Sequence, residues 1–221
     1  MTTAQPGVRR GRPRMTEPSE RHVARRDEII DTAIRVFHAK GFESGSIEDV
    51  ARSLDLRKGA IYHYFPSKAH LLYCIFDRAI TTALISLQEY DRIADPLDRL
   101  AALIRHQATL VARDVSLFSV FFDQRPRLEE AFEREIRSKE RRYLRSFETA
   151  VEAAVSAGAL VAVDPRYAAQ AILGMANWTY KWFQEGRDSP ERVADVMIRL
   201  ILPRPIDFDR PVGLNREGSA N

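Results

Sequence analysis

The chain has 221 residues, of which 45% are hydrophobic and 29% are charged. This balance is typical of a folded globular protein and excludes a disordered chain. The single cysteine, Cys74, has no partner for an internal disulfide or a cysteine-based metal site. No apolar run approaches the roughly 18 residues that a membrane span needs, and the N-terminus does not resemble a secretory signal. We therefore expect a cytoplasmic protein with no membrane partner.

Positive charge is concentrated in the first residues. Residues 1–26 contain seven arginines and two acidic residues, a local charge of +5 in a chain whose net charge is +3. Large apolar residues are almost absent there, which predicts a disordered basic arm that suits DNA. A solvated tail without a partner is the alternative.

Helical periodicity begins near Arg26. An apolar stripe that includes Phe37 and His38 predicts a first helix of about four turns, which Gly41 ends with a left-handed backbone.

Two shorter helices follow. Ser46 can cap a second helix that ends near Leu54, and a third helix is expected over residues 58–64, before Pro66. Two short helices joined by a tight turn predict a helix-turn-helix unit, although a compact three-helix bundle would show the same pattern.

Three groups of residues make the pattern more specific, namely Phe37 with Lys40–Phe42, residues 47–51 and residues 58–68. On these residues the segment 29–72 resembles the DNA-binding domain of TetR-family transcriptional regulators. Asp55 and Arg57 depart from that family, which usually has Gly and a Ser-like cap there. Asp tolerates a left-handed backbone, and Arg57 could reach a phosphate.

The resemblance implies an all-α fold and a regulator that forms a homodimer. The expected segments are a disordered basic arm (1–24), a three-helix helix-turn-helix DNA-binding domain (25–75), a helical effector-binding and dimerisation domain (76–203) and a flexible tail (204–221). The effector-binding and dimerisation segment is predicted to be helical almost throughout, and its first helix begins before residue 76. The helical patterns cover residues 68–90, 96–113, 115–123, 126–157, 165–185 and 190–202.

The resemblance also implies which side chains meet DNA. The expected contacts are Lys58, Gly59, Ala60, Tyr62 and His63 at the groove, with Ser46, Tyr64 and Lys68 near phosphates. Arg57, which departs from the family, is added for its charge and not from the resemblance. Core positions are the alternative for the two tyrosines, and we expect Tyr62 to be the exposed one. In the arm, Arg10, Arg12 and Arg14 surround Gly11 and Pro13, which resembles the Gly-Arg-Pro core of hooks that bind the minor groove.

Residues 165–183 are apolar around nearly the whole helix, so this helix needs burial on every side. Together with residues 190–202 it could form the four-helix dimer interface of the family. A monomer core is the alternative.

Aromatic and polar residues on the C-terminal helices predict a cavity for a small apolar molecule. The candidate lining residues are His106, Phe118, Phe121, Phe122, Asn177 and Trp178. The run over 174–183 resembles a pattern of TetR-family members that respond to acyl-CoA thioesters, and a generic hydrophobic effector is the alternative.

No catalytic motif accompanies these features. The charge-rich run over 129–145 is explained by a solvated helix face, and its glutamates form no Glu-x-x-His motif. The chain also has no P-loop, dinucleotide fingerprint, nucleophile elbow or H-E-x-x-H. We therefore predict no catalytic residue, no metal site and no cofactor. The sequence favours a dimeric repressor that binds a palindromic DNA operator and is released by its effector. An activator or a regulator without an effector is the alternative, and a helical enzyme comes last.

Overall fold

A computed structural model describes residues 20–202 of the protein. In this part of the chain there are nine α-helices and no β-strand. The helices are α1 (Glu20–Ser44), α2 (Ile47–Ser53), α3 (Lys58–Tyr64), α4 (Lys68–Leu87), α5 (Pro96–Arg113), α6 (Val115–Asp123), α7 (Glu130–Ser156), α8 (Pro165–Asn177) and α9 (Pro190–Ile201). Short 3₁₀ turns span Tyr90–Arg92, Arg125–Arg127 and Trp178–Lys181.

The first helix differs from its prediction at both ends. It begins at Glu20, so residues 20–24 are helical and do not belong to a disordered arm. Glu20 lies in the first turn, where a carboxylate is favourable next to the positive end of the helix. Gly41 has the predicted positive φ, of 74°, but it forms a kink and does not end the helix, which continues to Ser44. His38 is exposed, although the apolar stripe predicts that it is buried.

Helices α2 and α3 form the predicted helix-turn-helix. Ser46 caps α2 in a reciprocal capping box, in which its hydroxyl accepts from the Asp49 amide and the Asp49 carboxylate accepts from the Ser46 amide. Asp55 adopts the left-handed backbone with a φ of 53°. Ile61 is the fully buried residue of α3, and it joins α3 to the core of α1 and α2.

Helix α4 joins the two parts of the molecule. The expected domain boundary between residues 75 and 76 falls inside it, so both parts share one continuous helix. The segment Lys68–Arg92 has the length and apolar content of a membrane span, contrary to the sequence expectation, but half of it is buried against other helices. It therefore has the properties of a core helix of a folded domain.

The remaining helices pack around α5 and α7. Helix α5 contacts α7, α8 and α9, α7 contacts α4 and α8, and α6 contacts both α1 and α4. The core between them contains the fully buried Leu100, Ile104 and Phe147. The bundle therefore has α6 at the junction between the helix-turn-helix and the C-terminal helices.

Two helices in the C-terminal part are shorter than predicted. Helix α7 begins at Glu130 and not at residue 126, because a 3₁₀ turn precedes it. Helix α8 ends at Asn177 and not at residue 185, where the chain tightens into the turn Trp178–Lys181. The Tyr180 hydroxyl and the Lys181 ammonium both donate to Asp123, at 2.7 and 2.8 Å, and these tertiary bonds hold that turn against α6.

Candidate nucleic-acid interface and effector cavity

The outer face of α3 is polar and open. Lys58, Gly59 and His63 are exposed, and Tyr62 retains 42% of its accessible surface, whereas Ala60 is half-buried. A Cβ added to Gly59 would meet nothing within 4 Å, so glycine is not required there by the protein's own packing. Arg57 is also exposed and makes no side-chain cap bond to α3. This face is accessible to a DNA groove.

Lys58 pairs with a carboxylate of the preceding helix. Its ammonium forms an ion pair with Glu48 in the first turn of α2, and it lies 5.7 Å from the centre of the Tyr62 ring. The hydrogen bond to Glu48 raises the pKa of Lys58, and the same bond lowers the pKa of Glu48. Donor, acceptor and aromatic ring therefore lie side by side on the exposed face, and sequence analysis had not included Glu48.

Two of the expected phosphate contacts have roles within the protein. The Ser46 hydroxyl also donates to Asp49 at 2.8 Å, so the capping box uses it in both directions. Lys68 donates to the Glu43 carbonyl at 3.2 Å and lies 4.3 Å from the centre of the Phe42 ring. A phosphate at either side chain would compete with these bonds.

Tyr64 is half-buried beneath the first helix. Its ring stacks on His22 of α1, with the centroids 4.6 Å apart, and meets His63 edge-on at 5.5 Å. The start of α1 is therefore joined to the end of α3 through aromatic contacts. Arg10, Arg12 and Arg14 lie outside the described residues, and their minor-groove role stays a prediction.

A cavity of about 370 Å³ lies between α4, α5, α6, α7 and α8. Its apolar wall is formed by Ala79, Ile80, Ala83, Leu110, Phe118, Phe121, Phe122, Leu144 and Leu173. Its size is at the lower end of the range for small-molecule sites. The three phenylalanines of α6 that we selected from the sequence all line it, as does Asn177.

One end of the cavity carries a buried chain of hydrogen bonds. The Tyr143 hydroxyl donates to Gln107 Oε1, and Gln107 Nε2 donates to Asn177 Oδ1 at 2.5 Å. Gln107 and Tyr143 retain only 4% and 6% of their accessible surface, and burial raises the pKa of Tyr143. Asn177 therefore has its amide oriented by neighbours, and its Nδ2 group can donate to a ligand.

The mouth of the cavity is charged. It is lined by the exposed Arg137 and Arg141 of α7 and by the half-buried Glu140 of the same helix. Arg125 holds Glu140 through two hydrogen bonds of 2.6 and 2.8 Å, and Arg137 pairs with Glu133. The balance of charge at this edge is positive, because Arg125 and Arg137 are matched by Glu140 and Glu133, whereas Arg141 has no ion-pair partner among the described residues.

Two expected lining residues lie elsewhere. His106 is outside the cavity lining, with its ring 5.4 Å from that of Tyr90 and its Nε2 atom buried without a partner among the described residues. Burial lowers the pKa of His106, although the charge of Glu89 opposes this. One step along a helix turns a side chain by about 100°, so Gln107 supplies the polar group that we had assigned to His106.

Trp178 lies on a different surface. It lines an open groove of about 500 Å³ with Met175, Trp182, Val196 and Leu200, between the end of α8 and one face of α9. Trp178, Trp182 and Leu200 retain 60%, 44% and 74% of their accessible surface. We call this surface the α8–α9 face. Large exposed apolar patches of this kind mark interaction sites.

Helix α6 contacts both the cavity and the helix-turn-helix. While its phenylalanines line the cavity, Ser119 bonds His38 of α1 at 3.0 Å. Just beyond α6, the Gln124 side chain accepts from the Phe42 amide at 3.3 Å, and Arg127 pairs with Glu43 at 3.0 Å. A displacement of α6 by a ligand would therefore reach α1 directly.

We also searched the described residues for a metal site and for a reactive cysteine. Between residues 20 and 202, no three His, Cys, Asp or Glu side chains are grouped so that they could hold a metal ion. Cys74 is buried and accepts a hydrogen bond from Arg26 at 3.1 Å, and burial raises the pKa of its thiol. Its thiolate is disfavoured, as expected for a structural cysteine.

Comparison with known proteins supports both parts of this architecture. Residues 29–73 match the family described as bacterial regulatory proteins of the tetR family, and residues 94–203 match the tetracyclin repressor-like C-terminal domain. A 60-residue stretch is 40% identical to the uncharacterized HTH-type transcriptional regulator YuxN of Bacillus subtilis, and a 56-residue stretch is 36% identical to the biofilm operon icaADBC HTH-type negative transcriptional regulator IcaR of Staphylococcus aureus. These matches cover 25% and 24% of this chain, and 21% and 30% of the two relatives.

A solved structure extends the similarity over most of the chain. AibR, crystallised in complex with isovaleryl coenzyme A and operator DNA, is 30% identical, with a TM-score of 0.74. The alignment covers 81% of this chain and 98% of AibR. Because both family models match in chain order and this relative is covered almost completely, the chain belongs to the TetR family of transcriptional regulators, which are DNA-binding proteins and not enzymes.

Proposed function

We propose that the protein is a homodimeric repressor that binds a palindromic operator and leaves it when the acyl chain of an acyl-CoA thioester fills the cavity. The observation that carries this proposal is the double contact of α6. Phe118, Phe121 and Phe122 line the cavity, while Ser119 and Gln124 bond to α1. Occupancy of the cavity and the position of the helix-turn-helix are therefore mechanically linked.

DNA binding is assigned to the exposed face of α3. Lys58, Tyr62 and His63 would reach into the major groove, with Gly59 and Ala60 allowing close approach, and Arg57 would contact a phosphate. The basic arm before Glu20 would add minor-groove contacts. Repression as the sign of regulation is supported by IcaR, which is a negative regulator.

The dimer is assigned to the α8–α9 face. In a twofold dimer each protomer would cover the partner's Trp178 and Leu200 with its own copy of the same surface patch. Aromatic anchors at the centre of such a patch supply most of the binding energy of an interface. Two recognition helices at a fixed separation then require a palindromic site.

The size and charge of the cavity support a short acyl chain attached to an anionic carrier. A cavity of about 370 Å³ is at the lower end of the range for small-molecule sites, which suits a short acyl chain but not a whole coenzyme A. The Asn177 amide can donate to the acyl carbonyl, and Arg137 and Arg141 can meet phosphates at the mouth. AibR, whose crystals contain isovaleryl coenzyme A, supports the same class.

Release requires that the effector prefers one arrangement of the dimer. A ligand with equal affinity for both arrangements shifts nothing, however tightly it binds. We propose that the filled cavity displaces α6 and, through its bonds to α1, moves the two α3 helices away from the spacing of successive major grooves.

The experiment is a release assay with the full-length protein. An operator is first selected from a random duplex library, and release is then followed by fluorescence anisotropy with coenzyme A thioesters of increasing chain length and the matching free acids. We expect short-chain thioesters to release the operator and the free acids to act more weakly. A reporter gene under this operator gives the sign of regulation, and lower expression without effector is expected.

A matched pair of variants tests the cavity itself. Ala83→Phe fills the cavity from α4, whereas Ile85→Phe adds the same ring at an exposed position of the same helix. We expect Ala83→Phe to bind operator but to ignore the thioesters, and Ile85→Phe to behave as wild type. Operator binding that no thioester or acid releases would reject the effector and favour a regulator without one.

A further inference from the structure

Two neighbouring carboxylates in the first turn of α2 have different environments. The Asp49 side chain is only 14% exposed and is used within the protein, where it bonds Ser46, Lys40 and Arg52. The Glu48 side chain is 47% exposed, and its ion-pair partner is Lys58 at the start of α3. Capping accounts for Asp49. Glu48 also lies in the first turn of α2, where a carboxylate is favourable, but its side chain is exposed and forms an ion pair with Lys58 of the next helix.

Glu48 lies on the surface that we assign to DNA. Lys58 is 49% exposed, lies between the Glu48 carboxylate and the Tyr62 ring, and forms part of the proposed contact face of α3. When α3 enters the major groove, Glu48 must come close to the duplex together with its partner. The following inference therefore rests on the proposed operator binding by α3.

A carboxylate in this place weakens attraction to DNA in general. Phosphates repel it, so it lowers the sequence-independent part of binding. The favourable partners for a carboxylate in the major groove are amino groups on base edges, chiefly the N4 amino group of cytosine. The favourable partners for a lysine are O6 and N7 of guanine. A G·C base pair presents these acceptors and this donor next to each other.

We propose that Glu48 is a specificity-determining residue that reads one G·C base pair in each half-site together with Lys58. The Glu48 carboxylate accepts a hydrogen bond from the cytosine N4 amino group, while the Lys58 ammonium donates to O6 or N7 of the paired guanine. Their ion pair holds acceptor and donor side by side before DNA arrives. The cost of phosphate repulsion is then offset only at a site with the correct base pair.

The first test compares operators selected by full-length variants from a random duplex library. Glu48→Ala should lose the G·C preference at one position of each half-site, a change of about tenfold in discrimination, and should bind random duplex more tightly than wild type. Glu48→Gln should change that position to A·T, because a glutamine side chain pairs with adenine N6 and N7. Glu130→Ala, which removes an exposed carboxylate from α7, should select the wild-type sequence.

The second test removes single atoms from the DNA. In the selected operator, replacing the cytosine by 2-pyrimidinone removes the N4 amino group, and replacing the guanine by 7-deazaguanine removes N7. We expect the first replacement to weaken wild-type binding about tenfold more than it weakens Glu48→Ala. The second replacement should instead weaken wild type more than it weakens Lys58→Met.

The outcomes separate this inference from the proposed function. If wild type enriches an operator and Glu48→Ala enriches the same sequence with the same discrimination at every position, Glu48 reads no base and the inference is overturned alone. If wild type enriches no sequence over random duplex, operator binding itself fails and both proposals are rejected. Unchanged thermal melting of Glu48→Ala shows that any lost discrimination does not come from unfolding.

Discussion

The exposed face of α3 and the α8–α9 face differ in the polarity of their side chains. On the face of α3 the exposed side chains are mostly polar or charged, and Lys58 forms an ion pair with Glu48. On the α8–α9 face the exposed groups are Trp178, Trp182 and Leu200, for which water is a poor partner. The first surface is stable when free, whereas the second gains stability only when it is covered. DNA binding should therefore be reversible and salt-dependent, and dimerisation persistent.

The largest expected effect comes from placing a charge on the α8–α9 face. Trp178→Glu removes an aromatic anchor from both protomers of a twofold dimer, which we expect to cost about 4 kcal/mol and to weaken dimerisation roughly a thousandfold. Analytical ultracentrifugation measures the dissociation constant. Ile85→Glu, at an equally exposed apolar position on α4, is the control and should leave the dimer intact. An undisturbed Trp178→Glu dimer would move the interface elsewhere.

The face of α3 gives the next largest effect. Lys58→Ala and Tyr62→Ala should each weaken operator binding about tenfold to a hundredfold. The dimer and the melting temperature should stay unchanged, because both side chains lie on the surface and not in the core. Arg134→Ala removes an exposed, paired cation from α7 and serves as the control. If both α3 variants bind as wild type, α3 does not enter the groove.

The helix-turn-helix was more predictable from sequence than the rest because its structure depends on local signals. The bounds of α3 and the capping of α2 by Ser46 were confirmed, and both follow from residues within a few positions. The positive φ of Asp55 was also confirmed, since the turn requires it locally. The exposed start of α1 was missed because its stacking partner, Tyr64, is distant in the chain.

The C-terminal helices depend on contacts that periodicity cannot show. Nothing local ends α8 at Asn177, because the bonds that tighten the following turn come from Asp123 of α6. Likewise, whether His106 or Gln107 faces the cavity depends on the rotation of α5 about its axis. The two residues are adjacent, so a rotation by about 100° would exchange them. The apolar wall from α6 was found because three phenylalanines in one short helix leave few other arrangements.

Removal of the basic arm should reduce the salt dependence of DNA binding without affecting dimerisation. Deleting residues 1–19 removes Arg9, Arg10, Arg12 and Arg14 but retains all of α1. If all four arginines engage phosphates, the slope of log K against log salt falls by up to about 3.6. Operator titrations at several salt concentrations measure it, and the dimer should not change. An identical slope in the shortened chain would show that the arm contributes nothing to binding.

The weakest effect that we expect concerns pH and His106, a partly buried residue whose Nε2 atom is shielded from solvent. Burial lowers its pKa in the folded state below the ordinary value of 6.5, so the unfolded state binds the proton more readily. The free energy of unfolding should therefore fall as the pH drops from about 7.5 to about 5.5, and His106→Gln should reduce this dependence. Urea unfolding at several pH values measures it, with exposed His63→Gln as the control. A steeper loss in His106→Gln would contradict the burial argument.

Reciprocal calorimetry measures the proposed coupling between the cavity and the operator through α6. Isovaleryl coenzyme A is titrated into the full-length dimer with and without saturating operator, and the operator is titrated with and without thioester. Linkage predicts that each ligand weakens the other by one common factor. Gln124→Ala, which removes a bond between the end of α6 and α1, should reduce that factor while leaving both separate affinities nearly unchanged. Thioester affinities that are equal in the presence and absence of operator would contradict the account.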